Sequence, residues 1–389
     1  MCAAGFAAYC SYAICRSPLL PLFARELGAD ARQIGFIVGA STLTGVVGKL
    51  PAGAWSDIVG RRALLVTGAA VFAVMPFTYL AVSGLGLLIT LRVVHGSATA
   101  IFGPVASASL SDIAPSHRRA TWLSAYSTVQ GSGQAIGPVL AGYLIAMRRF
   151  DLAFLLAGAI ALSTPIIVWR WPATNRRSGS SDRSPLRQFS DGIKEVAREP
   201  RVLAASLAQW AQFLLNGALN AFLPLYAIEV VGMGPAAVGW MFALQTVTTL
   251  ATRPLIGMLS DRIGRRSVIV TGLTACSAAV WMISSAGSVS VLIAAVFVYA
   301  AGVAITTAAT SAYVTDVAPR ARYGAAHGVF GTIYDVGDAA GPILAGLLVA
   351  AWGYAPMFQI MAVGAISAAA GFSMFSTSGG RLNSDGVQS

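Results

Sequence analysis

Apolar runs of roughly twenty residues recur from one end of this 389-residue sequence to the other. At 1.5 Å of rise per residue, a helix of that length matches about 30 Å of bilayer hydrocarbon. Twelve such runs can be drawn: residues 2–23, 33–55, 63–83, 85–110, 120–146 and 151–171, then 202–228, 235–259, 267–286, 288–314, 323–350 and 355–376. Apolar residues make up 56% of the chain and charged residues 11%, against about 25% charged in soluble globular proteins. The fold class that follows is an all-α membrane protein of twelve transmembrane helices.

One long polar stretch, "RWPATNRRSGSSDRSPLRQFSDGIKEVAREPR", separates the sixth run from the seventh. It divides the chain into a six-helix bundle at 1–171, a linker at 172–201, a second bundle at 202–376 and a tail at 377–389. Within the linker, "LRQFSDGIKEVAREP" has the makings of a short amphipathic helix at the membrane surface. Of 26 Lys and Arg, eighteen fall in the linker, the tail and the even-numbered loops, and four in odd-numbered loops. By the positive-inside rule the linker and both termini are cytoplasmic, in an inner or plasma membrane. The net charge of +11 then reports topology and contact with anionic lipid, not a nucleic-acid partner. The first run begins at Met1 but lacks a basic n-region and a cleavage site, so it is expected to stay in place as a span. Cys2, Cys10, Cys15 and Cys276 have no metal or redox spacing, and His95, His117 and His327 are not paired at ligand spacing. With no nucleophile motif or phosphate loop either, an enzyme and a resident cofactor are not expected.

The chain repeats itself. "PAGAWSDIVGRRALLVTG" from Pro51 returns as "PLIGMLSDRIGRRSVIVTG" from Pro254, "LSDIAP" as "VTDVAP", and "GQAIGPVLAG" as "GDAAGPILAG". Asp57 maps to Asp261, Asp112 to Asp316 and Pro138 to Pro342, each 204 residues on. A parallel pair of six-helix halves is an arrangement that transporters use.

These repeated motifs resemble those of the major facilitator superfamily. "GAWSDIVGRR" (Gly53, Asp57, Gly60, Arg61, Arg62) and "GMLSDRIGRR" (Gly257, Asp261, Gly264, Arg265, Arg266) are similar to its Gly-x-x-x-Asp-x-x-Gly-Arg-Arg loop motif, and "LRVVHGSATA", with Arg92, to its motif on the fourth helix. "GSGQAIGPVLAG" resembles the Gly-x-x-x-Gly-Pro motif on helix five, which in that superfamily is associated with proton-driven antiporters. The resemblance implies two pseudo-symmetric six-helix bundles, alternating access, and proton-coupled export of a small organic compound or drug, as in the twelve-helix drug/proton branch. Proton-coupled uptake, facilitated diffusion of a metabolite, and a transport-inactive sensor or scaffold remain alternatives. The partners expected are a small-molecule substrate, protons and membrane lipids, with the chain working as a monomer.

The residues themselves suggest roles. The loop arginines can reach Asp112 and Asp316 at the ends of spans four and ten, a cluster able to latch the halves and gate transport, or merely to enforce topology. The glycine pairs at 133/137 and 337/341 suit close helix packing between the halves. Charges inside spans are the sharper signal, since a carboxylate at mid-depth costs about 2.5–3.5 kcal/mol or more. Asp335 and Asp338 share one face of span eleven, opposite the glycines, and Arg16 and Arg92 lack twins in the other half; Asp335, Asp338 and Arg92 are the candidates for proton coupling. A static salt bridge with Arg16, Lys49 or Arg92 is the plainer reading. Lys49 and Arg253 are 204 apart, and that symmetry favours a structural role for both; without it, the excess positive charge leaves room for an anionic substrate. Candidate substrate contacts are Arg16, the stripe Gln209, Gln212, Asn216 and Asn220 on span seven, Gln134 and Tyr334, with helix-to-helix hydrogen bonding as the alternative for the stripe.

Overall fold

The computed structural model describes residues 1–172, 200–318 and 323–378; side chains at 49–59, 254, 257, 259, 261, 323–325 and 376–378 lie outside that description. The proposed amphipathic helix of the linker, most of the linker itself and the tail beyond residue 378 therefore lie outside the described residues.

Every described element is helical. Span one is split into α1 (Cys2–Ile14) and α2 (Leu19–Glu26), followed by α3 (Ala31–Val59), α4 (Arg61–Thr78), α5 (Leu85–Ile113) and α6 (Arg119–Ala146). Span six is α7 (Phe150–Ala161) and α8 (Ser163–Trp169). The second half runs α9 (Pro200–Glu229), α10 (Pro235–Ile263), α11 (Arg265–Ser284), α12 (Val289–Val317), α13 (Tyr323–Trp352) and α14 (Tyr354–Ser378). Helices are what lipid demands, because a helix satisfies its backbone hydrogen bonds internally. Among the described residues, eight are long and apolar enough to cross a membrane by length and composition alone. The other spans are the broken first one, α3, whose last eleven side chains lie outside the described residues, and α6 and α10, whose Ser, Thr, Gln and Gly content lowers their hydropathy.

The halves meet along α3, α6, α10 and α13. α3 packs on α13 and α6 on α10, while α1 with α6 and α9 with α13 pack inside the halves. The cross-half contacts rest on missing side chains: a Cβ at Gly35 would collide with the Pro342 carbonyl, and one at Gly239 with the Pro138 carbonyl. All four positions lie toward the helix ends remote from the linker. Toward the linker side, a Cβ placed at Gly328 on α13 would meet nothing within 4 Å.

The glycine pairs of span five and span eleven behave otherwise than expected. A Cβ at Gly133 would meet the Phe6 carbonyl at 2.7 Å, and one at Gly337 the Trp210 carbonyl at 2.5 Å. Both pairs therefore dock within their own half, α6 on α1 and α13 on α9, and do not bring the halves together.

Symmetry extends to the linker-side turns. Gly60 and Gly264 hold φ of +96° and +90°, which L side chains rarely adopt. Each turn directs its first arginine at a carboxylate of the same half, Arg61 to Asp112 and Arg265 to Asp316 at 3.1 Å. Each second arginine donates to a backbone carbonyl 107 residues on, Arg62 to Trp169 and Arg266 to Ser373.

Candidate functional site

The break in span one places the central side chain. α1 ends at Ile14 and α2 begins at Leu19, so Arg16 sits in a four-residue interruption of an otherwise apolar rod. From there its Nη2 donates to Asp338 Oδ2 on α13 at 2.9 Å, an ion pair joining the two halves. Asn216 Nδ2 on α9 donates to the other carboxylate oxygen at 2.8 Å. Beside it Ser17 Oγ donates to the Asn220 carbonyl at 2.7 Å, a second link between the halves. The Arg16 side chain is 25% exposed and that of Asp338 10%, so the pair is sheltered yet open to water on one side. About 1.5 Å per residue places Asp338 roughly 22 Å along the 30-residue α13, near its middle.

Water reaches the pair through a chamber of about 290 Å³ that Asp335, Asp338, Arg16, Tyr12, Gln134 and Asn220 help to line. The two aspartates thus face the same space, as their shared helix face requires. A second chamber of about 380 Å³ continues from it, sharing Gln134 and Thr246, with Gln212, Asn216, Gln245 and Arg253 in its wall.

The expectation for Arg92 needs correction. It is completely buried on α5, donating to Ser41 Oγ and, at 3.4 Å, to Tyr79 Oη. Its guanidinium lies 5.8 Å from the centroid of the Tyr12 ring. Tyr12 lines the chamber, so Arg92 stands one layer behind it and makes no ion pair among the described residues. Arg16 takes the carboxylate because the helix break brings it to the chamber wall.

Span seven divides its polar stripe. Gln209 is buried, donating to Gln212 Oε1 at 2.8 Å and accepting from Thr310 on α12, so it bonds helix to helix and does not line either chamber. Gln212, Asn216 and Asn220 do line the chambers. Tyr334 packs on Phe213 in a tilted ring pair, 4.5 Å between centroids, and backs the second chamber through it. Gly60, Arg61, Arg62, Asp112, Gly264, Arg265, Arg266 and Asp316 lie at the linker-side turns, where the Arg61–Asp112 and Arg265–Asp316 ion pairs each clasp one half to itself. Gly53, Asp57, Gly257 and Asp261 lie on α3 and α10, but their side chains, like that of Lys49, are outside the described residues.

A cluster at the far end escaped the sequence reading. Arg25 Nε pairs with Glu229 Oε1 at 3.1 Å, and Tyr354 Oη donates to Glu229 Oε2 at 2.8 Å, closing the end remote from the linker. Its signal was present: Arg25 and Glu229 are 204 residues apart, equivalent ends of spans one and seven with opposite charge.

Comparison with known proteins bears on this geometry. The family model of the Major Facilitator Superfamily matches residues 1–237 and, separately, 205–384. The chain belongs to the major facilitator superfamily. Its second match starts 204 residues after the first, at the repeat offset. Among curated members of this superfamily, the chain is 26% identical to an MFS-type transporter of Methanocaldococcus jannaschii over 89% of its own length and 90% of the relative's. It is 24% identical to the quinolone resistance protein NorA of Staphylococcus aureus over 54% of this chain, spanning only 53% of NorA. A crystal structure of the nucleoside transporter NupG superposes with a TM-score of 0.81 at 13% identity, covering 96% of this chain and 98% of that one, which establishes the fold. This member of the superfamily is accordingly an integral membrane transporter of small molecules and not an enzyme.

Proposed function

We propose that this facilitator-fold protein exports a small organic compound or drug against inward proton flow, with Asp338 as the coupling carboxylate and Arg16 as its switchable partner. The observation that carries the reading is the Arg16–Asp338 ion pair, which joins the halves at mid-membrane beside a water-accessible chamber. With the basic linker on the cytoplasmic side, the closed end faces outward and the chamber opens inward. In this state Asp338 is ionised and held by Arg16 and Asn216. Substrate enters from the cytoplasm, the halves rock, and a proton arriving from outside neutralises Asp338. That releases Arg16, and the proton is lost to the cytoplasm when the pair re-forms. Asp335, one turn nearer the linker on the same wall, relays protons between Asp338 and the cytoplasm. Arg92 acts on this exchange only through Tyr12. Substrate contacts come from Gln134, Gln212, Asn216, Asn220 and Arg16. The loop-motif residues gate: once the linker-side ends meet, the Asp57 and Asp261 motifs with their arginines latch the halves. The NorA likeness favours export, and the protein works as a monomer in a bacterial inner membrane, in contact with anionic lipid.

Inverted vesicles test the direction. An acid interior should drive accumulation of a quinolone from a panel of organic compounds, and Asp338→Asn should abolish it. Accumulation driven by an acid exterior instead would identify a symporter.

A further inference from the structure

Arg253, 204 residues beyond Lys49, stands in the wall of the second chamber. On α10 it is eight residues beyond Gln245 and four beyond Thr249, on the face that lines the second chamber. Val247, Leu255 and Met258, each more than half exposed, mark the lipid face of the same helix. Arg253 is exposed and makes neither an ion pair nor a hydrogen bond among the described residues, whereas Arg16 has Asp338 and Arg92 has Ser41 and Tyr79. A cation with no counter-ion among the described residues, in a chamber with low-dielectric walls, focuses its field on whatever enters.

The rest of the chamber wall defines what that would be. Gln245 Oε1 is buried with no hydrogen-bond partner among the described residues. Gln130, Gln212 and Asn216 add carboxamides from α6 and α9. Phe213, held by its tilted ring contact with Tyr334, contributes a flat apolar surface. We infer that the second chamber is a binding subsite for planar aromatic carboxylates, with Arg253 as the anion anchor and Phe213 as the ring platform. Its volume of about 380 Å³ lies within the range of small-molecule pockets, about 300–1,000 Å³. A carboxylate fits the guanidinium fork in bidentate fashion, and a ring substituent bearing N–H or O–H satisfies Gln245. The inference rests on the transport reading only in treating this cavity as the substrate's path.

The test is equilibrium binding without any gradient, using the full-length protein in phosphatidylcholine nanodiscs at pH 7. The probes are 2-naphthoate and its neutral isostere 2-naphthamide. Wild type should prefer the acid by about tenfold to hundredfold, the range expected for a charge-assisted pair. Arg253→Gln should bring the two probes within about twofold, with amide affinity and thermal unfolding midpoint unchanged. Arg253→Lys, which keeps the charge and loses the fork, should fall between and decides the matter if the Gln variant does not fold. No saturable naphthoate binding to wild type, no preference for acid over amide, or an undiminished preference in the variants would overturn the inference. Such a failure with proton-driven flux intact leaves antiport standing; preference for the acid with no proton-driven flux does the reverse.

Discussion

Breaking the Arg16–Asp338 pair should shift the balance between the two access states. The pair joins α13 to the break in span one while the end remote from the linker is closed, so it stabilises that state over the alternative. A hydrogen bond to a charged group contributes about 1.5–3 kcal/mol. Because Arg16 keeps 25% side-chain exposure, water compensates part of any loss, and the lower figure applies. Complete removal of a partner from a fully dry pair would cost more, about 3–5 kcal/mol. Asp338→Asn preserves the shape and an acceptor for Asn216 but removes the charge, so about 1.5 kcal/mol, or about tenfold in the conformational ratio, is expected. Spin labels at Glu26 and Val230, equivalent positions at the far ends of spans one and seven, read that ratio as a distance distribution. Cys2, the least buried of four free cysteines, is replaced beforehand. Asp338→Asn should add a long-distance population, Arg16→Gln should do likewise, and the double variant should be no worse than either, giving a coupling of about 1.5 kcal/mol. Strict additivity, or unchanged distances in all three, would refute the reasoning.

Glu229→Gln weakens a half-exposed closure and should move the same ratio by only about 0.2–1 kcal/mol, less at high salt; a larger effect by the same label distances would show that the far-end cluster dominates. Arg92→Met replaces a buried cation lacking a carboxylate with an apolar side chain, so the unfolding midpoint in detergent should hold or rise while transport falls; a steep loss of stability would contradict its placement one layer behind the chamber. Gly337→Ala puts a methyl against the Trp210 carbonyl and should destabilise by about 1–3 kcal/mol, seen as a lower unfolding midpoint, whereas Gly328→Ala should be nearly silent.

The fold was legible because two periodicities governed it: span length, fixed by the bilayer, and the 204-residue repeat, fixed by the pairing of equivalent halves. The repeat also carried Arg61 with Asp112 and Arg265 with Asp316, each ion pair joining residues 51 apart in its own half. Partner choice inside the bundle was less readable. Helical spacing placed Asp335 and Asp338 on one wall but could not reveal that span one breaks at Arg16, bringing that side chain, and not Arg92, to Asp338. The glycine pairs were recognisable as close-packing devices, yet which helix they met depends on bundle order, and α1 and α9 proved to be the neighbours. The symmetry of Arg253 with Lys49 could not place Arg253 in the wall of the second chamber, because that depends on how α10 is turned within the bundle.

The most direct test of proton-coupled export is a single flux measurement on oriented proteoliposomes containing a trapped pH dye. With the linker side outward and a quinolone-containing panel added outside, inward substrate movement should be accompanied by alkalinisation of the lumen, and Asp338→Asn should abolish that proton signal while retaining substrate binding. Substrate uptake with lumenal acidification, or a full proton signal in Asp338→Asn, would contradict the account.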